Sequence, residues 1–327
     1  MVRVCREHIN GPDGNGADED AAEVTGPFTA QAEGFAAVIV IIKRVSTGLR
    51  IVIASYGSLQ FRFLQETLTA AGHVPVAYLM SRSMRPSGAA EPDLLAATTA
   101  VIANVPPGMD LLLPGSAGML APVLAGYRPD VLLVFGFNWR LPRDVLDVPA
   151  LGVLNVHPSA LPKYRGPSPV LWAIRNGDPR FGVTVHRMTG RIDAGPVLAQ
   201  VDDLPLPDRV TSHDVWELTK GALPGLLEEA LSRALRGDPG VPQEEAGASY
   251  AGFPPPDWYT VSWQGSRHSL HNQIRVLRYM RSGEGPTAEF QGRTVQVHGT
   301  SLTDDGSIRI DCADGPLWVT CGPGGSG

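Results

Sequence analysis

Short apolar runs and amphipathic stretches alternate along the chain from about residue 49. The β-branched run RIVIAS at 50–55 precedes a Tyr56–Gly57 turn and an amphipathic stretch at 59–71, which predicts a strand leading into a helix. A second apolar run, VPVAYLM at 74–80, follows at once. This opening predicts a βαβ unit with parallel strands and a right-handed crossover.

Three further apolar runs lie at 131–137, 153–157 and 181–188. They are nearly continuous, as strands buried on both faces of a parallel sheet are. A helical stretch at 168–176 is expected to supply another crossover between the last two. These runs predict an α/β fold with a Rossmann-like open parallel sheet.

Weaker patterns fill the remaining parts of this region. They predict helices at 94–100 and 117–125, with a short strand near Val101. A longer helix is expected at 212–236, where Thr211, Ser212 and Asp214 are candidate caps.

Composition divides the chain into four segments. Residues 1–48 are rich in Gly, Asp, Glu and Ala without a period, which predicts a disordered extension before the main domain at 49–236. Residues 237–252 have the Pro, Gly, Ala and Glu content of a linker. Residues 253–327 combine one helical stretch, at 269–281, with short strands such as TVQVHG, SIRID and PLWVT. We expect a small, β-rich, OB-like accessory domain there.

Charge and cysteine content narrow the function classes. The formal net charge is −6, which argues against a protein that mainly neutralises phosphates. Cys5, Cys312 and Cys321 are odd in number and lack metal-ligand spacing, so we expect no disulfide framework, no metal and a reducing cytoplasm. The apolar run at 35–42 is too short to cross a bilayer, so no membrane partner is predicted.

Asn155 and His157 are the first candidates for chemistry. They are two residues apart on a predicted strand, so both side chains lie on one face, and Pro158 then ends the strand. Ligands of open parallel sheets bind beyond the carboxyl ends of the strands, which is where this amide and this imidazole lie. Taken alone, the two residues would also suit a turn or a satisfied polar pair.

Four sequence motifs favour a catalytic role for these two residues over a structural one. NVH at 155–157 is followed by SALPKYRG at 159–166, GVTVHRM at 182–188 and DAGP at 193–196. In this order and spacing the chain resembles the folate-dependent formyltransferases, from about Leu49 to the C-terminus. The stretch FGFNWRLPRDVLD resembles the part of that family that lines the pterin pocket, and the tail resembles the accessory domain of its transfer-RNA branch. The first 48 residues have no counterpart in this resemblance.

The resemblance implies a set of site residues. The catalytic residues would be Asn155, His157 and Asp193, and the donor would be 10-formyltetrahydrofolate. Residues implied for folate binding are Phe137, Asn138, Arg140, Leu141, Pro142, Val145, Ser159, Leu161, Pro162 and Asp193. Candidates for acceptor binding are Tyr56, Gly57, His186, Lys163, Tyr164 and Arg165. A core role for His186 and a solvated loop at 163–165 remain open.

Formyl transfer explains why these residue types are needed. The Asn155 amide can donate to the oxyanion that develops on the formyl oxygen, and a protonated His157 can do the same. A buried carboxylate raises the pKa of a nearby imidazole and fixes its ring, which is the role expected of Asp193. Asp193 could also act as a general base through a water molecule, although Asp-Ala-Gly-Pro is ordinary turn chemistry as well.

The acceptor is predicted from charge. The loop after the second run offers only Arg82 and Arg85, and from Val241 onwards six arginines face nine acidic residues, a formal charge of −3. A polyanion should bind poorly to such a tail, so we expect a small amine acceptor: an amino sugar, an amino acid or a biosynthetic intermediate. Transfer RNA stays open because Arg275, Arg278 and Arg281 recur at helical spacing. Water as acceptor, in a formyltetrahydrofolate hydrolase, and an idle folate-binding protein are the other readings.

Overall fold

The computed structural model describes residues 48–89, 92–281 and 285–323. Within these ranges, seven strands form one sheet in the order β3-β2-β1-β4-β5-β6-β7. Strands β1 to β5 are parallel, and β6 and β7 run antiparallel to their neighbours. The expected Rossmann-like sheet is therefore present. The predicted disorder of residues 1–48 falls almost wholly outside the described residues.

The elements alternate as the apolar runs indicate. The strands of this sheet are β1 (Arg50–Ser55), β2 (Val74–Leu79), β3 (Asp110–Leu112), β4 (Val131–Phe135), β5 (Val153–His157), β6 (Arg180–Arg187) and β7 (Val197–Pro205). The helices are α1 (Ser58–Ala70), α2 (Pro92–Ile102), α3 (Leu120–Tyr127), α4 (Arg143–Leu146), α5 (Pro169–Asn176), α6 (Ser212–Leu235) and α7 (Arg267–Met280). A capping box between Thr211 and Asp214 begins α6, at one of the predicted caps.

Two predictions about this sheet are wrong. Val101 lies inside α2, and the strand expected there is β3, nine residues further on, where only three residues pair with β2. The helix before β6 is not a parallel crossover, because β6 pairs antiparallel with β5, opposite Leu154 to His157. A continuous apolar run indicates burial on both faces but carries no information about strand direction.

The two faces of the sheet pack against different helices. On one face, Leu154 and Val156 of β5 join the larger core with residues of α1, α5 and α6. On the other face, Val153 joins a smaller core with residues of α3 and α4. Asn155 and His157 share the face of Val153, because side chains alternate along a strand. The catalytic candidates thus lie beyond the smaller core, at the end of β5.

The C-terminal part has its own antiparallel sheet, in the order β10-β11-β9-β8. Its strands are β8 (Thr287–Phe290), β9 (Arg293–Ser301), β10 (Ile308–Cys312) and β11 (Gly315–Pro323). Helix α7 supplies Leu270 and Ile274 to the core of this sheet, while Val276 on another side of the helix packs into the larger core of the main domain. The β-rich accessory region is present as predicted, and one amphipathic helix joins it to the main domain.

Residues 237–252 follow a defined path over the main domain. Val241 and Val197 exchange two backbone hydrogen bonds of 2.8 Å, and the N–H of Ala251 donates to the carbonyl of Arg165 at 2.6 Å. The Trp172 indole also donates to the carbonyl of Gly252 at 2.8 Å. This segment, which we call the strap, is thereby fixed to the first residue of β7, to the loop that follows β5 and to α5. Among the described residues no helix is long and apolar enough to cross a membrane.

Candidate active site

The antiparallel pairing of β5 and β6 builds one side of the site. Asn155 lies opposite His186, and His157 lies opposite Thr184, so all four side chains share a face. All four residues are buried. The Asn155 amide nitrogen lies 3.2 Å from Nε2 of His186. His186, whose role the sequence left open, therefore contacts the candidate catalytic residues directly.

Asp193 completes the group from the loop between β6 and β7. Its Oδ1 accepts from the Asn155 amide at 3.2 Å and lies 3.5 Å from Nε2 of His186. Its Oδ2 accepts from the Gly166 N–H at 2.8 Å and lies 3.6 Å from Nδ1 of His157. We call Asn155, His157, His186 and Asp193 the catalytic cluster, after the role that is proposed for them below.

The loop that presents Asp193 has little steric freedom. Asp193 has a φ of 45°, in the left-handed region that few residues other than glycine adopt. Gly195 is closely packed, because a Cβ there would lie 1.8 Å from the carbonyl oxygen of Arg187. The DAGP motif thus combines a strained aspartate with a glycine that allows the loop to press against β6.

Asp193 is the residue of the catalytic cluster that is ionised at neutral pH. Burial by itself would raise the pKa of Asp193, but the hydrogen bond to His186, the charges of the two histidines and the Gly166 N–H outweigh it and lower that pKa to about 2. Burial lowers the pKa of His157, and Asp193 and the Tyr164 carbonyl offset this only in part. Asp193 raises the pKa of His157, as expected, but desolvation is the larger effect, so the net shift of that pKa is downward.

Hydrogen bonding assigns the tautomers of both imidazoles. Nε2 of His157 lies 2.8 Å from the carbonyl of Tyr164 and Nδ1 of His186 lies 2.9 Å from the carbonyl of Arg187, so these nitrogens must carry protons. In the neutral rings Nδ1 of His157 and Nε2 of His186 are then acceptors. The free acceptor of His157 faces Asp193, where an added proton would be stabilised by the carboxylate.

The residues implied for folate binding lie in two loops. After β4, Leu141 and Val145 are buried in the smaller core, and the Asn138 amide donates to Ser81 at 3.2 Å. Phe137 is partly buried beside Trp139, and Arg140 donates to the carbonyl of Gly190. Pro142 is the N-cap of α4.

The second loop follows β5 directly. Ser159 donates to the Lys163 carbonyl at 2.7 Å, and the Leu161–Pro162 peptide bond is cis. The hydroxyl of Thr184 donates to the carbonyl of Ser159 at 2.7 Å. These bonds fold the loop back onto β6, so that it borders the catalytic cluster.

The acceptor-binding candidates are spread over three places. Tyr56 and Gly57 follow β1, and the Tyr56 ring lies so close to Gly136 that a Cβ there would be 2.8 Å from it. The Tyr164 hydroxyl donates to Asp178 at 2.9 Å. Lys163 lines a cavity of about 240 Å³ together with Ser159 and Ala173, and its Nζ lies 3.7 Å from Oδ2 of Asp178.

Arg165 is buried, with 7% of its surface exposed, and its guanidinium contacts the strap. Nε donates to Gln243 at 3.0 Å and Nη1 lies 3.2 Å from a Glu245 oxygen. Gln243 and Trp139, whose indole donates to the Ser83 carbonyl at 2.8 Å, were not singled out from the sequence. Gln243 lies in a Pro- and Gly-rich stretch without periodicity, where no sequence signal points to a role.

The chain is similar in sequence to known formyltransferases. A family model described as formyl transferase matches residues 50–217. The methionyl-tRNA formyltransferase of Roseiflexus castenholzii is 34% identical over 287 residues, which are 84% of this chain and 88% of that protein. In its matches to several other curated relatives of the same name, the chain spans about half of their length, from 48% to 57%.

Solved structures share the fold at low identity. HypX from Aquifex aeolicus, in complex with tetrahydrofolic acid, has a TM-score of 0.56 at 19% identity over 83% of this chain and 43% of that chain. A sugar N-formyltransferase from a Shewanella species has a TM-score of 0.55 at 16% identity over 78% of this chain and 99% of that chain. At these identities the likeness is one of fold.

Proposed function

Because the chain belongs to the formyl transferase family, we propose that it transfers the formyl group of 10-formyltetrahydrofolate to the amine of a small-molecule acceptor. The observation that carries this proposal is the catalytic cluster. An amide donor and two imidazoles each lie within 3.2 to 3.6 Å of one ionised carboxylate, that of Asp193. They do so beside β5, at the carboxyl end where open parallel sheets bind ligands.

In this reaction the donor lies against the two loops that follow β4 and β5. The indole of Trp139 and the side chains of Leu141 and Val145 are buried under the first loop. They support the loop from below and leave Asn138 and Arg140 at its partly accessible surface. A loop of this composition, apolar with a few polar groups, suits contact with a pterin ring.

The chemistry exchanges one C–N bond for another. The amine nitrogen attacks the formyl carbon, and the Asn155 N–H groups stabilise the oxyanion that forms on the formyl oxygen. The amine proton passes to the Asp193–His157 pair, whose facing atoms are 3.6 Å apart. The same pair returns a proton to N10 as the C–N10 bond breaks, and tetrahydrofolate leaves.

The acceptor assignment is supported by where the arginines lie. Arg275 is buried and donates to the carbonyls of Leu206 and Pro207 at 3.1 and 3.3 Å, so it cannot belong to an exposed basic stripe. Arg278 is partly buried, which leaves Arg281 as the exposed member. A small amine needs no row of phosphate contacts, whereas a transfer RNA does.

Methionyl-tRNA is the second candidate acceptor. It is favoured by a specific observation, the 34% identity to a methionyl-tRNA formyltransferase over 88% of that relative. In that case the phosphate contacts would come from residues other than the predicted stripe.

The experiment uses 10-formyltetrahydrofolate with a labelled formyl group. The protein is incubated with methionyl-tRNA in one arm and with a panel of amino sugars and amino acids in another, and formylated products are identified by mass. We expect a product in the small-amine arm that disappears with Asn155→Ala. If a product forms only with methionyl-tRNA, the acceptor is methionyl-tRNA and not a small amine. If formate is the only product, the protein is a hydrolase. If no reduced folate binds at millimolar concentration, the proposed function is wrong.

A further inference from the structure

We propose that Gln243, in the strap, is a positioning residue that sets the orientation of Asp193. This inference rests on the proposed function. The Gln243 Nε2 donates to the main-chain carbonyls of Asp193 and Gly195, each at 2.8 Å. Its Oε1 accepts from Nε of Arg165 at 3.0 Å. One amide side chain therefore connects the loop that carries Asp193 to the loop that follows β5.

The chemistry of these partners fixes which way the amide points. A guanidinium only donates hydrogen bonds and a carbonyl oxygen only accepts them. Only an amide offers an acceptor on one side and two donors on the other at this length. A glutamate would keep the bond from Arg165 but would direct a carboxylate oxygen at the two carbonyls.

Asp193 needs such an external hold because its loop is strained. Its φ of 45° is unfavourable for a residue with a side chain, and such conformations persist only where surrounding contacts over-determine them. Both of its carboxylate oxygens have partners near 3 Å, in the Asn155 amide and the Gly166 N–H. A small rotation of the Asp193 peptide would therefore break one of these contacts or lengthen the 3.6 Å separation from His157.

The strap gives Gln243 a fixed base. Val241, two residues earlier, exchanges two backbone hydrogen bonds with Val197 of β7. Further along, Ser249 accepts from the Arg165 N–H at 2.9 Å, and its hydroxyl accepts from the Tyr164 N–H at 2.9 Å. Gln243 is thus held on one side by β7 and on the other by the loop that follows β5.

The test compares three variants: Gln243→Glu, the milder Gln243→Asn, and the control Gln296→Met. Gln296 lies on β9 of the accessory sheet, where its amide is 3.5 Å from the Gly285 carbonyl. In both Gln243 variants we expect kcat to fall roughly tenfold to a hundredfold, since misplacement of a catalytic group by about 1 Å has that cost. The KM for the folate donor should stay within about twofold, and the control should match the wild type.

A second readout separates positioning from a purely structural role and needs no acceptor. The titration of His157 is followed by NMR in the folded proteins. Asp193 and His186 are the charged groups that face this ring, and Asp193 raises its pKa. Withdrawal of Asp193 should therefore lower the apparent pKa of His157 in the Gln243 variants but not in the Gln296 control.

The outcomes are distinguishable. Folded Gln243 variants with wild-type kcat and an unchanged His157 titration would overturn the proposal, as would a loss of thermal stability alone. If the wild type formylates no amine while the His157 titration still shifts in the variants, the proposed function fails and the positioning role stands.

Discussion

Among the described residues, two clusters bring a buried histidine to a carboxylate, and they differ in which charge is buried. In the catalytic cluster the buried charge is the Asp193 carboxylate, whose side chain is 12% exposed. In the second, which we call the docking cluster, His271 and Arg275 of α7 are buried, and their partner Asp208 has a side chain that is 74% exposed. Burial lowers the pKa of His157 and of His271 alike.

A buried histidine with a lowered pKa therefore does not by itself mark a reaction site. Arg275 of the docking cluster donates to the backbone carbonyls of Leu206 and Pro207. Nδ1 of His271 lies 2.8 Å from the hydroxyl of Thr300. Its polar groups are used to join α7 to the main domain. The catalytic cluster instead has an anion, an amide donor and an imidazole acceptor at the carboxyl end of β5, where open parallel sheets commonly bind ligands.

The largest effect should come from Asn155→Ala. We expect kcat to fall by about a hundredfold or more, because an oxyanion donor of this kind contributes roughly 3 to 4 kcal/mol. Reduced-folate affinity, measured by titration, should change little. The matched variant in the docking cluster is Asn272→Ala, which removes the partner of Arg275 at 3.0 Å and should leave kcat intact. Equal losses of kcat in the two variants would show that the two clusters do not differ in their importance for turnover.

Arg275→Met should act on stability instead of turnover. The Leu206 carbonyl loses the donor that Arg275 supplies, and the Pro207 carbonyl keeps only the Val210 N–H, which costs about 1 to 3 kcal/mol of unfolding free energy. The Tm, followed by calorimetry, should fall by several degrees while kcat at 25 °C is retained. Arg281→Met is the control at an exposed position and should stay within about 0.5 kcal/mol. A loss of kcat with an unchanged Tm would instead place Arg275 in the catalytic machinery.

Low pH should lower the unfolding free energy through the histidines of both clusters, but it should lower kcat through the catalytic cluster alone. A histidine whose folded-state pKa is lowered contributes stability that is present above its unfolded pKa of 6.5 and is lost as pH falls through the folded value. Each histidine should reduce the unfolding free energy by up to about 1.4 kcal/mol per pH unit below 6.5. The Asp193 contribution follows lower, between pH 3.8 and about 2.

The variant His271→Gln separates the two clusters in this range. It should flatten the dependence of unfolding free energy on pH between 7 and 5, measured by chemical denaturation, and leave the acidic limb of the kcat profile in place. If that limb moved with His271→Gln, the titration that governs turnover would lie outside the catalytic cluster.

The smallest effect is expected from salt. A small amine engages one or two charged side chains, so the acceptor KM should change about threefold at most between low and physiological salt. The double reversal of Arg278 and Arg281 to Glu should likewise leave turnover nearly unchanged. A KM that rises by orders of magnitude with salt would indicate several phosphate contacts and a nucleic-acid acceptor.

The sequence predicted the parts of the site that depend on local pattern. NVH places Asn155 and His157 on one face because side chains alternate along a strand, and Pro158 marks the strand end. It could not predict that β6 reverses direction, which is what brings His186 opposite Asn155. The reversal depends on how the chain packs after α5, and no residue in the apolar run 181–188 records it.

The other features that the sequence did not predict also depend on contacts between residues far apart in the chain. Helical spacing groups Arg275 with Arg278 and Arg281, but the docking of α7 against Leu206 and Pro207 buries the first of them. Proline and glycine content predicted a linker at 237–252, yet hydrogen bonds to distant loops order it. Composition describes the preference of an isolated chain, and contacts across many residues override it here.

The ends of the seven-stranded sheet also bear on how the protein behaves in concentrated solution. Exposed edge strands are templates for pairing with a second chain and so for aggregation. One edge, β3, has only three paired residues. At the other, the pairing of β7 with β6 is interrupted by two register shifts, and Val241 of the strap occupies the edge opposite Val197. The strap that holds the Asp193 loop therefore also covers part of the β7 edge, and its displacement would expose backbone there for strand addition.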